Sequence, residues 1–374
     1  MKYTFVSVPA LGNKQNTFLN IKGKLTEYAE TYAFEIPDFK VGTLDALVLL
    51  SDDLVKFDTS LDQSANKLAD ILNNLIKDKV QDHLLVSDKT VDQYIRTFQW
   101  NNMKYRTDKS LQETTALLNQ EVASIDAIMK AKLNTYTQNK NTLQTLQRKQ
   151  TGNLSVRSLN GIVKKQHCVL NSEYLTTLIV AVPNKYETLT SMVVPRSSVK
   201  IDEDEEFGLF TVTLFQRVVD EFSHKAREER FIVRDFKYDE SALQTQQLEL
   251  EEAAAAEREQ QTELIRLTRT NFGEVFAAWV HMKALRVFVE SVLRYGLPSD
   301  FTAVAIAAKP KVEHKVDEVL VAQYGGLGGV HGRALKKQSD NQEELLDHEL
   351  QSMNDSSYRP YVQFELNFDM DRSR

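Results

Sequence analysis

The sequence predicts an α+β protein, elongated and two-domain, with a globular head and foot joined by a long antiparallel two-helix neck. Three observations predict it. Ser241–Gly296 holds no proline and, before its end, only one glycine, Gly273. A second stretch, Asp108–Gln150, holds neither. Strand-like alternation lies before, between and after the two stretches, where small mixed domains are expected.

At the N-terminus, Tyr3–Pro9 alternates as a short strand closed by Pro9, and Thr17–Tyr32 reads as a helix. Pro37 and Gly42 mark a connector. Leu47, Leu50, Leu54, Leu61, Leu68, Leu72 and Leu75 then recur at helical spacing through Thr43–Lys79. Two helices with a turn near Asp58–Ser60 are expected there. In Asp108–Gln150, Val122, Met129, Tyr136 and Leu143 fall seven apart, accompanied by Leu118, Ile125, Lys132, Asn139 and Leu146. The polar middle of that series makes a thin seam, suited to one partner helix and too polar for a core. The return stretch has a similar series, Leu243, Leu250 and Leu264, interrupted by Glu257.

Between the two stretches, candidate strands are Leu154–Val163, Leu175–Val182, Val199–Ile201, Gly208–Phe215 and Phe231–Tyr238, with a helix over Gln216–Glu229. The acidic run Asp202–Glu206 reads as a solvated hairpin loop. The first half of the return stretch is rich in alanine, glutamine, glutamate and leucine, all good helix formers. Its second half buries one face through Phe272, Val275, Phe276, Trp279, Met282, Leu285, Val289 and Val292. Gly296 and Pro298 stop it. As one helix it would run roughly 80 Å. Beyond it, Ala303–Ala308 and Tyr361–Phe368 read as strands and Glu313–Tyr324 as a helix, whereas Gly325–Gly332 and Lys336–Ser357 read as loop. Neither end supplies a viable sheet alone, so both should complete one discontinuous domain. The division expected is foot 1–110, neck 111–150, head 151–240, neck 241–270 and foot 271–374.

Composition narrows the function classes. Apolar content of 42% and charged content of 26% are ordinary for a globular chain. No apolar run approaches a membrane span, and the first residues lack a secretory pattern. The single cysteine, Cys168, fits a reducing compartment. A net charge of −7 argues against general nucleic-acid binding. A soluble cytosolic protein is expected.

The search for chemistry yields no catalytic, cofactor-binding or metal-binding residues. YGGLGGVHG, Tyr324–Gly332, puts His331 where a dinucleotide loop needs its third glycine, and it follows a predicted helix rather than a strand. Gly23–Lys24 lacks the upstream glycine of a P-loop. The seven histidines show no metal-ligand spacing; His281 reads as a hydrogen-bonded core or boundary residue. His167 beside Cys168 has no second pair, and the thiol reads as structural. Arg217, Lys225, Arg227, Arg230, Arg234 and Lys237 alternate with acids, as on a solvated helix face. Lys104, Arg106 and Lys109 beside Trp100 and Tyr105 are ambiguous.

Four strings add a resemblance. TGNLSVRSLNGIVKKQHCVLNSEYLTTLIVAVP (Thr151–Pro183), FAAWVHMKALRVFVESVLRYGLP (Phe276–Pro298), PDFKVGTLDALV (Pro37–Val48) and FQWNNMKYRTDKSL (Phe98–Leu111) closely resemble the C subunit of the eukaryotic V-type (vacuolar) proton-pumping ATPase. They match in order, with an overall fungal character. The segment after Pro183 is short for the family and Tyr324–Ser357 matches poorly, so nothing carries over there. The resemblance implies a non-catalytic stator component on the cytosolic face of vacuolar or endosomal membranes, without membrane insertion. It implies a head gripping one peripheral stalk made of the E and G subunits. The foot would meet another E–G stalk and the N-terminal cytosolic domain of the membrane-embedded a subunit. It also implies release when the soluble sector detaches, and actin or nucleotide binding in some members. A free-standing coiled-coil adaptor, for instance cytoskeletal and actin-binding, is the alternative reading. Contact residues in the head are expected among the exposed side chains of Leu154–Leu159 or Arg217–Lys237.

Overall fold

The computed structural model describes residues 1–10, 12–76, 80–170, 172–182, 198–239, 241–328, 359 and 361–369, less the Leu243 side chain. In chain order the elements are β1 (Lys2–Pro9), α1 (Lys14–Leu25), β2 (Ala29–Ala33), α2 (Leu44–Leu75), β3 (Leu85–Val86), β4 (Lys89–Thr90), α3 (Val91–Arg96) and α4 (Leu111–Thr151). Then follow β5 (Leu175–Val182), β6 (Val199–Glu203), β7 (Gly208–Phe215), α5 (Val219–Glu228), β8 (Ile232–Arg234), α6 (Ala242–Tyr295), β9 (Phe301–Ala308), α7 (Glu313–Tyr324) and β10 (Val362–Asn367). The protein is α+β, with antiparallel sheets and separate helices. It divides into a first unit, residues 1–131 and 264–374, and a second, residues 132–263.

In the first unit the sheet order is β10-β1-β9-β2, so strands from both ends of the chain share one sheet. Alternation sorts its side chains. Val6, Val8, Val304 and Ile306 face Ile21 and Leu25 of α1 and Val316 and Leu320 of α7. Tyr3, Phe5 and Ser7 point to the other face, where Ser291 Oγ of α6 donates to Ser7 Oγ at 2.7 Å and Phe288 meets Phe301. Both faces are therefore covered, and α6 is the central helix from Phe272 to Val292. Gly296, at φ +85°, ends α6 in the left-handed conformation, its N–H donating to Val292 O at 2.9 Å.

Gly273 has a different reason. A Cβ there would lie 2.9 Å from the Leu85 carbonyl oxygen, which is rigid backbone. Gly273→Ala should therefore destabilise the chain by about 1 kcal/mol, although alanine is the better helix former by a similar amount. A melting temperature equal to or above that of the parent would refute the close-packing argument.

In the second unit the order is β6-β7-β5-β8. One face packs Val180, Val182, Val212 and Leu214 against Phe222 and Ala226 of α5. The other packs Ile179, Ala181 and Leu209 under Leu154, Leu159 and Val163. The seam positions of α4 are buried or half-buried, from Leu118 through Val122, Ile125, Met129, Lys132, Tyr136 and Asn139 to Leu143 and Leu146. One of its polar places is matched: Lys132 Nζ donates to Glu263 Oε1 at 2.9 Å. Tyr136 is held above its ordinary pKa by burial and by the Glu257 carboxylate facing it.

Four expectations are corrected. The predicted Thr17–Tyr32 helix ends at Leu25, and Ala29–Ala33 is a strand because β9, far along the chain, pairs with it. No turn occurs at Asp58–Ser60: α2 is one helix of 32 residues, and Asp58 lies buried within it against cations of α6. Leu154–Val163 forms turns, since Asn153 O accepts from the N–H groups of Val156 and Arg157 and Gly161 takes φ +91°. The Phe231–Tyr238 strand shrinks to Ile232–Arg234, leaving four strands in that sheet. The predicted Lys336–Ser357 loop lies outside the described residues, as do Gly329–Gly332; Gly325–Gly328 form a 3-10 turn.

Candidate interaction surfaces

Several titratable groups singled out in the sequence are engaged in structure. His281, 2% exposed, donates from Nδ1 to Ala277 O at 2.7 Å and accepts the Asn101 N–H at Nε2 at 3.1 Å. This is the neutral tautomer, boxed in by Phe98, Trp100 and Tyr105. Burial lowers its pKa to about 4. Cys168 is half-buried and its thiol pKa is raised by burial, the reverse of a reactive cysteine. His167 Nδ1 accepts the Lys164 N–H at 3.2 Å.

The basic residues divide by role. Arg234 donates to the carbonyls of Leu154, Val156 and Arg157, clasping the turn over the second sheet. Lys225 pairs with Glu221 at 2.9 Å. Lys104 joins Glu121 of α4 to Glu274 of α6, and Arg106 pairs with Asp108 at 2.7 Å. Of the acidic run expected as a loop, Asp202 and Glu203 belong to β6 and pair with Leu209 and Gly208, so the hairpin loop keeps only Asp204–Glu206, and Asp204 does more than meet solvent. Its carboxylate accepts from the N–H groups of Leu154, Glu206 and Phe207, which lowers its pKa.

Sequence reasoning missed a buried charged centre. Asp58 of α2, 6% exposed, accepts from Trp279 Nε1 at 2.9 Å through Oδ1. Its Oδ2 accepts from Lys283 Nζ at 2.8 Å and from Arg286 Nη1. Lys283 also donates to Glu365 O at 2.7 Å, tying β10 to the same centre. Burial lowers the Lys283 pKa, against the opposing pull of Asp58. Three residues at i, i+4 and i+7 on one face of α6 carried the signal, but nothing local indicated their partner. The centre is structural. Among the described residues no group of His, Cys, Asp or Glu is arranged to hold a metal ion, and no helix is long and apolar enough to cross a membrane.

What remains for function is surface. In the second unit Val169, Leu170, Tyr174 and Phe215 are exposed together. Leu175 is paired with Phe215, Tyr174 O accepts from Gln216 N–H at 3.0 Å, and Val169 N–H donates to Thr177 Oγ1 at 3.0 Å. These bonds place the four residues near one end of β5 and β7, with the Arg217 guanidinium 5.7 Å above the Phe215 ring. An open cleft of about 670 Å³ lies in the same unit between Asn160, Lys164, Gln166, Phe236 and Tyr238. In the first unit α2 exposes Leu44, Val48, Leu49 and Val55. Of the predicted Leu154–Leu159 contacts, Leu154 and Leu159 are buried and Val156 is exposed. The signal for α2 was legible, because it is apolar on more than one face. For Tyr174 and Phe215 there was none, since an exposed and a buried aromatic look alike in a strand.

The comparisons with known proteins say where these surfaces lead. The family model for the V-ATPase C subunit matches residues 3–362. The chain belongs to the V-ATPase C subunit family. The V-type proton ATPase C subunit of Manduca sexta is 40% identical over 382 residues, covering 99% of this chain and 98% of that one. The Caenorhabditis elegans protein of the same name is 40% identical, with 98% and 97% covered. The V-type proton ATPase C 1 subunit of Bos taurus is 39% identical, again with 98% and 97% covered. A crystal structure of the cytoplasmic N-terminal domain of the V-ATPase I subunit, a homologue of the a subunit, aligns at TM-score 0.31 and 12% identity over 86% of this chain and 97% of that one, too weak a likeness to carry an argument. Members of the family are non-catalytic accessory components of the proton pump, and the chain is not itself an ATPase.

Proposed function

We propose that the chain acts as a stator of the V-type proton pump, bridging E–G peripheral stalks and the N-terminal cytosolic domain of the a subunit, and that its reversible release controls pump assembly. The observation that carries this reading is the family match across residues 3–362. In it, residues 151–240 are the head that grips an E–G stalk, and 1–110 with 271–374 are the foot at the junction with the a subunit and a second stalk. Residues 111–150 and 241–270 are the neck, and the whole is elongated. A stator resists rotor torque, and paired helices anchored in folded domains transmit load without chemistry. Polar seam pairs such as Lys132–Glu263 suit a neck that flexes. Release and rebinding suit interfaces of limited area that survive exposure to water. The working place is the cytosolic face of the vacuolar or endosomal membrane, held there through the pump.

In the head the natural contact is the patch around Tyr174 and Phe215, because aromatic residues rimmed by an arginine are typical anchors. The full chain should retain a purified E–G heterodimer in a pull-down. The double substitution Tyr174→Asp with Phe215→Asp should weaken that retention at least tenfold, with an unchanged circular-dichroism spectrum. Undiminished retention would refute the assignment of the head. Co-sedimentation with actin in the absence of other pump components, without any E–G binding, would favour a cytoskeletal adaptor instead.

A further inference from the structure

α2 carries two apolar stripes, and the first unit uses one of them. Leu47, Leu50, Leu54 and Leu61 are buried and hold the helix to the core. Leu44, Val48 and Val55 lie on an adjoining face and are 63%, 50% and 47% exposed. Single apolar residues on a surface need no explanation, but an ordered row of them does. With Ser51 they run Leu44, Val48, Ser51, Val55, in steps of four, three and four. That is the seam along which one helix packs on another. It covers three turns, roughly 18 Å. It ends at Asp58, the next place in the series, which Trp279, Lys283 and Arg286 draw into the interior.

One flank of the seam is charged. Asp45 and Asp52 each follow a seam residue and stand seven apart, in the position from which a coiled coil selects its partner by charge. Both are exposed. Neither forms an ion pair among the described residues, whereas Asp53, on the far side of the helix, pairs with Lys56 at 3.0 Å. On the opposite flank stand the buried Leu47 and Leu54. The exposed stripe is therefore edged by carboxylates on its solvent side alone.

We propose that this seam seats an amphipathic helix of another pump component, with an apolar stripe at the same spacing and lysine or arginine facing Asp45 and Asp52. Covering Leu44, Val48 and Val55 removes apolar surface from water. The two cations select and orient the incoming helix by meeting carboxylates that have no counter-ion in this chain. Ser51 keeps the middle of the seam shallow, its hydroxyl donating to Glu290 Oε1 of α6, which leaves room for a large side chain of the partner. A second copy of this chain fits poorly, because two such seams packed antiparallel would set acid against acid along the charged flank. The inference rests on the reading that the chain works bound to other components of the pump, and it adds which face of the first unit binds and what kind of helix it takes.

Reincorporation of the full chain into pump stripped of it tests the proposal. Two double variants, Val48→Gln with Val55→Gln and Asp45→Lys with Asp52→Lys, should each weaken reincorporation about tenfold. Their circular-dichroism spectra should match the parent, since all four side chains are exposed. Asp53→Asn is the unaffected control. A photo-crosslinking benzoylphenylalanine in place of Leu49, beside the seam and 66% exposed, should join the chain to a peptide of another component in the reassembled pump. That peptide should show apolar residues at three-and-four spacing with lysine or arginine beside them. If either double variant reincorporates like the parent, or if the crosslink is absent or falls on a peptide without that pattern, the inference fails and the stator reading stands. A crosslink to a second copy of this chain would also overturn it. A parent chain that does not reincorporate at all would overturn the stator reading and this inference together.

Discussion

Asp58→Ala is expected to destabilise the first unit by about 3–5 kcal/mol, the usual cost of removing one partner from a buried ion pair. The substitution strips the counter-charge from Lys283, 5% exposed, and from Arg286, and leaves the Trp279 N–H without its acceptor. Both tryptophans, Trp100 and Trp279, lie in this unit, so their fluorescence in a guanidinium titration reports it selectively. Adding Lys283→Met to Asp58→Ala should regain part of the loss, because it removes one of the charges left unpaired in an apolar setting. A single substitution costing less than about 1 kcal/mol would show that water reaches the cations and the centre is not closed.

Acidification should act through His281. Its folded pKa, about 4, lies below the ordinary value of 6.5, so between those two pH values the unfolded chain binds a proton that the folded chain refuses. Stability is therefore complete above about pH 6.5 and falls as the pH drops toward 4. At 1.36 kcal/mol per pH unit, this one group removes about 2 kcal/mol between pH 7 and pH 5. Carboxylates titrate lower and histidines elsewhere contribute too, so the comparison is with His281→Gln. That variant starts less stable, having disturbed the bonds to Ala277 O and the Asn101 N–H, but its stability should fall about 2 kcal/mol less across the same range. Parallel pH profiles for parent and variant would mean that His281 takes up a proton without unfolding.

Both experiments concern groups that the sequence makes visible without explaining. His281 reads as a hydrogen-bonded core histidine, and it is one, because its surroundings on α6 are apolar at helical spacing. Asp58 reads as a turn residue and is not one. Local propensity favours aspartate at breaks, and the three α6 side chains that hold it within a helix lie more than 200 residues away. The same asymmetry runs through the fold. Phe272–Val292 as a buried helix, Gly296 as its stop, the α4 seam and the strands β1, β5, β7, β9 and β10 were legible because each depends on periodicity along a short window. The surface around Tyr174 and Phe215 was not, because whether a strand aromatic is covered depends on which elements pack over it.

The chain by itself thus determined its two longest helices, most of its strands and, through four ordered strings, its family. Those signals are local in sequence, and the repeat of a helix or strand writes them directly into the spacing of apolar residues. Only the tertiary structure decided that Ala29–Ala33 is a strand and that Asp58 belongs to the interior. Such outcomes depend on partners far along the chain, and a hydrogen bond or ion pair leaves no period behind.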